Sequence, residues 1–272
     1  MKVRIILSAV CLFVVSSLGI VGGVCGDEVN FPDPNLEAAI REAINKPEGP
    51  ITDEDLAGLT ELNASNRGIS DLTGIEHCTN LRKLSLHGNQ IKDVTPLKDL
   101  MNLRWLWLES NQVSDISPLE NLLNLEFLNL KFNKISNVDS LESLTNLKTL
   151  WVGYNQIRDI SILRNLKDLE WLGLGGLQIS NIDVLSVLIN LRNLSLRWNQ
   201  IDDLAPLSNL TNLQVLDLAY NQVSDVSPLS ALTDLQQLNL GGNQISDISP
   251  LSNLTKLQSL WLWGNRINDI SP

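Results

Sequence analysis

Two histidines and three cysteines are all that 272 residues offer as soft metal ligands. One of the cysteines, Cys11, sits inside an N-terminal apolar run, so neither a disulfide framework nor a Cys/His zinc cluster is expected. Basic residues are also scarce. Twenty Lys and Arg face 31 Asp and Glu, a formal net charge of −11. Such a balance argues against nucleic-acid binding, which needs a cationic surface. The means of catalysis are missing as well. His77 and His87 fall in neighbouring repeats on different sides, no Ser, His and acid set is indicated, and no glycine-rich phosphate loop appears. The chain is therefore read as a non-enzyme without cofactor or metal. Its apolar fraction of 43% suffices for a core and rules out a disordered profile. Aromatic residues make up only 5%, and where those few fall carries the functional argument.

Lys2 and Arg4 precede an apolar stretch from Ile5 to about Val24, and small residues lead through Gly26 to the acidic Asp27. A positive start, an apolar middle and small residues at the end predict a secretory signal peptide over residues 1–26. Two alternatives stay open: an uncleaved membrane anchor, since about 20 apolar residues span a bilayer, and a lipoprotein attached through Cys25. All three place the remainder outside the cell, secreted or at its surface. That remainder has 18 bases against 31 acids, and Cys78 is its only certain cysteine.

From Leu59 onward the chain repeats with a period of 22. Leu81, Leu103, Leu125, Leu147, Leu169, Leu191, Leu213, Leu235 and Leu257 open the successive units. Nine full units fill residues 59–256, and a tenth begins at Leu257 and stops mid-repeat at Pro272, which suggests a missing C-terminal module. In every full unit, positions 1, 4, 6, 11, 14, 17 and 20 are aliphatic or Cys. Positions 4 and 6 alternate with polar neighbours, the signature of a short strand. Position 9 is Asn in eight of ten units, and an inward Asn can bond the turn after the strand and its stacked neighbours. Position 15 is mostly Ser, Thr or Asp and position 16 often Pro, which predicts a side-chain cap at 15 opening a short helical turn.

This pattern, L-x-x-L-x-L-x-x-N-x-I over 22 residues with a D-I-S-P-L-x-x-L tail, resembles the leucine-rich repeat, and in particular the internalin-like bacterial type. The resemblance covers residues 59–272. It implies an α/β right-handed solenoid with a concave parallel β-sheet, a convex side of 3₁₀ or short helical segments, and a concave face that holds a partner protein. Arg67 and Leu177 depart from Asn at position 9, and Ala64 from Leu at position 6. A local kink or packing change is expected at Leu177. Residues 27–58 do not repeat. Asp33-Pro34 opens a helix with Leu36, Ile40 and Ile44 on one face, and Thr52 with Asp55 forms a capping box for a second helix reaching Leu59. A solenoid needs its first core layer covered, so this segment is read as an N-terminal helical cap.

The aromatics gather at four repeat positions. Position 3 holds Trp105, Phe127 and Trp171; position 5 holds Trp107, Trp151 and Trp261; position 7 holds Trp263; position 8 holds Phe132, Tyr154, Trp198 and Tyr220. With positions 1, 4 and 6 turned inward, these positions face the concave side. Aliphatic core slots exclude aromatics from seven positions but not from the other eleven, and exposed apolar patches mark interaction sites. Strands about 4.8 Å apart would bring Trp105, Trp107, Phe127, Trp151 and Trp171 within roughly 15 Å. The same face carries seven bases (Arg82, Lys83, Arg104, Lys131, Lys148, Arg192 and Arg197) against five acids. All eleven aromatics are taken as partner-binding residues of a monomeric, exported module with no membrane contact beyond its N-terminal segment. The expected partner is an extracellular or surface protein. Glycan binding by the same Trp-rich face and a spacer without a ligand are the alternatives. Asp at position 13, in eight of ten units, is read as a solvated turn former rather than a cation ladder.

Overall fold

The computed structural model describes residues 26–269. Residues 1–25 of the expected signal peptide, the Cys25 lipid site among them, and the last three residues lie outside this range.

Each repeat contributes one three-residue strand. Among the described residues ten such strands, from β1 (Glu61–Asn63) to β10 (Ser259–Trp261), pair in parallel and in sequence order into one curved, open sheet. The register is invariant: Leu62 faces Leu84, Leu84 faces Leu106, and so to Leu260. A period of 22 therefore places each repeat position in a straight column across the sheet. Nine short 3₁₀ turns, from Ile75–His77 to Ser249–Asn253, line the other side among the described residues. The seven aliphatic columns fill the space between, and nearly all are fully buried from Leu62 to Leu254. Each such side chain contributes about 1.5–3 kcal/mol before the entropy cost. Cys78 occupies one Leu slot, and burial pushes its thiol up to about 12, so it is an inert core residue.

The cap of each 3₁₀ turn differs from the expectation. In the turns after the first, position 15 is the first residue of the turn and makes no side-chain cap bond there. The acceptor is two residues earlier: the carboxylates of Asp93, Asp115, Asp225 and Asp247 each take the amide of position 15 at 2.8 Å. Those amide bonds hold the carboxyls of Asp115, Asp225 and Asp247 below the usual range. An Asx turn of this kind explains the Asp column without a cation.

Two asparagine ladders run along the solenoid. The first is the expected one: Asn111 donates to the carbonyls of Leu86 and Leu108 at 2.9 and 3.1 Å and accepts the Ile91 amide at 3.0 Å. The second was not anticipated. Asn80, Asn102, Asn124, Asn146, Asn190 and Asn212, at position 22, each donate to a backbone carbonyl 23 residues earlier at 2.8–3.0 Å.

Leu177 interrupts the first ladder, and the consequence is local. Elsewhere the position 10 amide bonds the preceding repeat's position 11 carbonyl, as Gln200 does to Ile179 at 2.9 Å. That bond is missing between Gln178 and Ile157, the Ile157 amide loses its Asn acceptor, and Gln178 turns to φ 61°. An open cleft of about 630 Å³ lies there between Gln156, Arg158, Leu177 and Gln178. The first repeat, which also lacks Asn at position 9, has Gly68 at the same place with φ 74°. A left-handed backbone costs a side-chain residue about 1–2 kcal/mol relative to glycine. Gln178→Gly is therefore expected to stabilise by about 0.5 kcal/mol, whereas Gln200→Gly, where φ is ordinary, should destabilise by about 1 kcal/mol. Opposite signs in urea unfolding would verify the assignment; equal signs would refute it.

The non-repeating segment covers the first core layer. Helix α1 (Pro34–Ile44) buries Leu36, Ala39 and Ile40 and packs against β1. It stops at Asn45, which adopts the left-handed conformation and turns its amide back to Arg41 and Glu42. The capping box at Thr52 and Asp55 is present, but helix α2 (Asp53–Leu56) is a single turn that ends before Leu59. Asp33 ties the two parts together. One carboxylate oxygen caps α1 at Asn35 and Leu36, and the other accepts the amides of Ser70 and Asp71 from the first repeat. Arg67 reaches Glu42 of α1 at 2.6 Å. Asn at position 9 serves a preceding repeat; the first repeat has none, and a helix-facing Arg takes its place.

Candidate functional site

All eleven candidate aromatics lie outside the buried core. Phe132, Trp171, Trp198, Tyr220, Trp261 and Trp263 are exposed, and Trp105, Trp107, Phe127, Trp151 and Tyr154 are half-buried. Strand register brings Trp105 beside Phe127 and sets Trp107 and Trp151 on either side of Asn129.

The rings do not form one continuous patch. Trp107 and Phe127 meet at 4.7 Å between centroids. Phe132 and Tyr154 stack at 4.4 Å. Trp198 stacks on Tyr220 at 3.7 Å, and Tyr220 meets the edge of Trp263 at 5.0 Å. Trp105, Trp151, Trp171 and Trp261 stack on no other ring among the described residues. The face thus has two ring pairs toward the N-terminal end and a group of three toward the C-terminal end.

Glycines one repeat away seat three of the rings. A methyl group on Gly173 would meet the Trp151 ring at 2.3 Å, one on Gly176 the Tyr154 ring at 2.6 Å, and one on Gly241 the Trp263 ring at 2.2 Å. Trp151, Tyr154 and Trp263 therefore lie over bare backbone, where any side chain would displace them. Read as sequence, Gly175-Gly176 and Gly241-Gly242 are simply the turn after a strand. Their role as seats follows from the column alignment.

The position 8 rings carry a second cost. Every repeat adopts positive φ at this position, with Gly88, Gly176, Gly242 and Gly264 at φ 67–69°. Phe132, Tyr154, Trp198 and Tyr220 take the same conformation at φ 55–58°. Bulky residues are disfavoured there by about 1–2 kcal/mol each. Stacking contributes about 0.5–1.5 kcal/mol per pair, which offsets only part of that cost.

Electrostatics follow the same columns. Four concave bases pair with acids one repeat away: Lys83 with Glu61 at 2.7 Å, Arg104 with Glu126 at 2.9 Å, Arg192 with Glu170 at 3.4 Å and Arg197 with Asp217 at 3.8 Å. Burial pushes the Asp217 carboxyl above the usual range despite the Ala219 amide and the Arg197 guanidinium. Arg82, Lys131 and Lys148 make no ion pair among the described residues. Lys83 also lies over the Trp105 ring at 5.3 Å, and Lys131 lies near three rings. Among the described residues no group of three His, Cys, Asp or Glu is placed to hold a metal ion, and no helix is long and apolar enough to cross a membrane.

The pattern described as Leucine Rich repeats (2 copies) matches residues 58–99, 102–143, 123–165, 189–231, 211–253 and 233–272. No curated protein matches the chain. Several solved structures do. An internalin, InlF, from Listeria monocytogenes is 35% identical, with a TM-score of 0.65 over 86% of this chain and 83% of that one. Internalin C2 from the same organism is 37% identical, with a TM-score of 0.66 over 85% of this chain and 94% of that one. The leucine-rich-repeat ectodomain of the plant membrane receptor kinase GASSHO1/SCHENGEN3 from Arabidopsis thaliana, in complex with CASPARIAN STRIP INTEGRITY FACTOR 2, is 25% identical. Its TM-score is 0.64, over 71% of this chain and 25% of that one.

Proposed function

Because the chain belongs to the leucine-rich-repeat family and to its internalin-like branch, we propose that it is an exported protein-binding module that docks its partner on the aromatic concave face. One observation carries this reading. All eleven aromatics of the repeats occupy the concave columns and their edge, and four of them sit on a backbone conformation that favours glycine. A packing role does not account for rings held at a conformational cost outside a core made wholly of aliphatic residues. Trp and Tyr are the side chains that dominate interface hot spots, because each buries a large rigid surface at little rotamer entropy. The mechanism is shape and aromatic complementarity on a preorganised sheet, with no chemistry. Each strand is fixed by its neighbours' backbone bonds, so little ordering cost accompanies binding.

The test exposes the exported chain in parallel to a panel of identified extracellular proteins and to a glycan array. The Trp105→Ala/Trp151→Ala double variant serves as control. A protein partner whose affinity falls about 100-fold in the double variant, with the far-UV CD melt unchanged, is the expected result. Glycan binding has one observation in its favour, the Trp151 and Trp263 rings lying against the bare backbone of Gly173 and Gly241. A glycan ligand lost by the same variant, with no protein ligand, would replace the protein reading. Equal behaviour of both chains would leave the rings without a binding role and favour a spacer.

A further inference from the structure

We propose that Lys131 is the subsite for a carboxylate of the partner protein, an Asp or Glu side chain set among apolar residues; this rests on the protein-binding reading of the same face. The Lys131 ammonium lies 5.3, 5.5 and 5.8 Å from the ring centroids of Phe132, Trp151 and Tyr154. The side chain is half-buried and makes no hydrogen bond or ion pair among the described residues. Glu109 lies one repeat away in the same column, yet its carboxylate accepts the Asn129 side-chain amide at 2.8 Å. Among the described residues, three ring faces are therefore what surrounds this cation.

Three physical consequences select the occupant. First, the electron-rich ring faces stabilise an ammonium and displace water from it, while all three N–H donors remain unused. An incoming carboxylate would form a charge-assisted bond beside apolar walls, where it is stronger than an exposed surface pair. Second, a cationic ligand is excluded, because the cage among the three rings already contains a positive charge. Third, the chain carries a net charge of −11, so an acidic group on a partner is repelled over most of the surface. The concave face has its unpaired bases at Arg82, Lys131 and Lys148, and of these only Lys131 lies among rings. Docking a carboxylate there fixes the register of the partner along the sheet, the role charges usually take in an interface. Trp107 and Phe127, in contact on the preceding strands, supply the apolar flank that a carboxylate within a folded partner's hydrophobic patch requires.

The experiment uses the whole chain and an immobilised peptide array with constant apolar flanks and a central Glu, Gln or Lys. Soluble polygalacturonate serves as competitor. Glu peptides are expected to bind at least about tenfold more tightly than their Gln counterparts, with Lys peptides weakest. Lys131→Met keeps the apolar stem and should erase the Glu-over-Gln ratio while leaving Gln peptides as they were. Lys134→Met, in which the lost ammonium pairs only with Gln112, should leave the ratio intact. Absence of a Glu preference in the wild-type chain, or its survival in Lys131→Met, overturns the proposal. Polygalacturonate displacing the peptides in a Lys131-dependent way also overturns it, by assigning the subsite to an acidic glycan. None of these outcomes touches the protein-binding reading, which stands or falls on the Trp105→Ala/Trp151→Ala comparison.

Discussion

Asn199→Ala is expected to destabilise the solenoid by about 3–5 kcal/mol, as much as Asn89→Ala and more than the same change at the other ladder positions. The Asn199 side chain donates to the carbonyls of Leu174 and Leu196 at 3.0 and 2.9 Å. It also accepts the amides of Leu177 and Ile179 at 3.1 and 3.2 Å; Asn89, after the Arg67 repeat, likewise accepts two at 3.1 and 3.0 Å, whereas Asn111, Asn221 and Asn243 accept one each. The extra acceptor bond arises because Leu177 has no carboxamide of its own and turns its amide toward the next repeat. Alanine would leave both donors and both carbonyls buried without partners, at about 1–3 kcal/mol for each group that water cannot reach. The same substitution at Asn265, in a half-buried turn of the last described repeat, should cost about 1 kcal/mol. Guanidinium titration followed by far-UV CD measures both. Because repeat arrays unfold by nearest-neighbour rules, Asn199→Ala is also expected to split the transition in two near that repeat. A loss below about 1 kcal/mol would show that the ladder bonds are exchanged for water without cost.

Asp33→Ala is expected to detach the helical cap and to cost about 3 kcal/mol. The side chain is buried, and its two oxygens serve the first turn of α1 and the Ser70–Asp71 backbone at once. An N-cap contributes about 1 kcal/mol, and each stranded amide adds about 1 kcal/mol or more. Asp33→Asn should rescue only the helix-capping half, since an amide nitrogen cannot accept from Ser70 and Asp71. The pH dependence has a definite sign. Burial disfavours the charged form, but the four backbone amides outweigh it and hold the Asp33 carboxyl below its usual value of 3.8. A depressed acid contributes stability that is present above about pH 3.8 and is lost as pH falls through the lower folded value. Wild type should thus lose cap stability in acid below about pH 4, whereas Asp33→Ala, lacking the group, should show a shallower decline. Parallel acid titrations of thermal midpoints measure the difference. Identical slopes would mean that the cap is held by its apolar contacts alone.

Most of the architecture was legible in the sequence because a strict period turns every unit into an independent copy of one statement. Seven aliphatic slots recurring at fixed spacing admit one solution, a strand and a turn stacked on themselves, and the invariant register follows. Asn at position 9 was legible for the same reason. The position 22 ladder was equally visible as Asn80, Asn102, Asn124, Asn146, Asn190 and Asn212, but exposed Asn before a strand has no unique reading until a carbonyl is seen opposite it. The cap of the 3₁₀ turn was misplaced by two residues. Ser, Thr and Asp at position 15 have the chemistry of a cap, and the Asp at 13 has it equally; only the backbone path decides which oxygen meets the amide.

The concave aromatics show where the division falls. By itself the sequence determined the fold and the columns on which Trp105, Trp107, Phe127, Phe132, Trp151, Tyr154, Trp171, Trp198, Tyr220, Trp261 and Trp263 stand, because inward and outward positions alternate in a strand and the period aligns them. It did not determine which rings touch. A side chain on a column can lean toward either neighbour, and the direction is set by where a missing side chain leaves room. Gly173, Gly176 and Gly241 make that room one repeat away from the ring they seat. Lys131 lies among Phe132, Trp151 and Tyr154, with one neighbour in its column, Gly153, carrying no side chain and the other, Glu109, bonded to Asn129. The extra bond of Asn199 depends in the same way on what the neighbouring repeat lacks. Periodicity determines what repeats, since each unit states it alone; tertiary structure decides what differs, since each difference acts on the unit next to it.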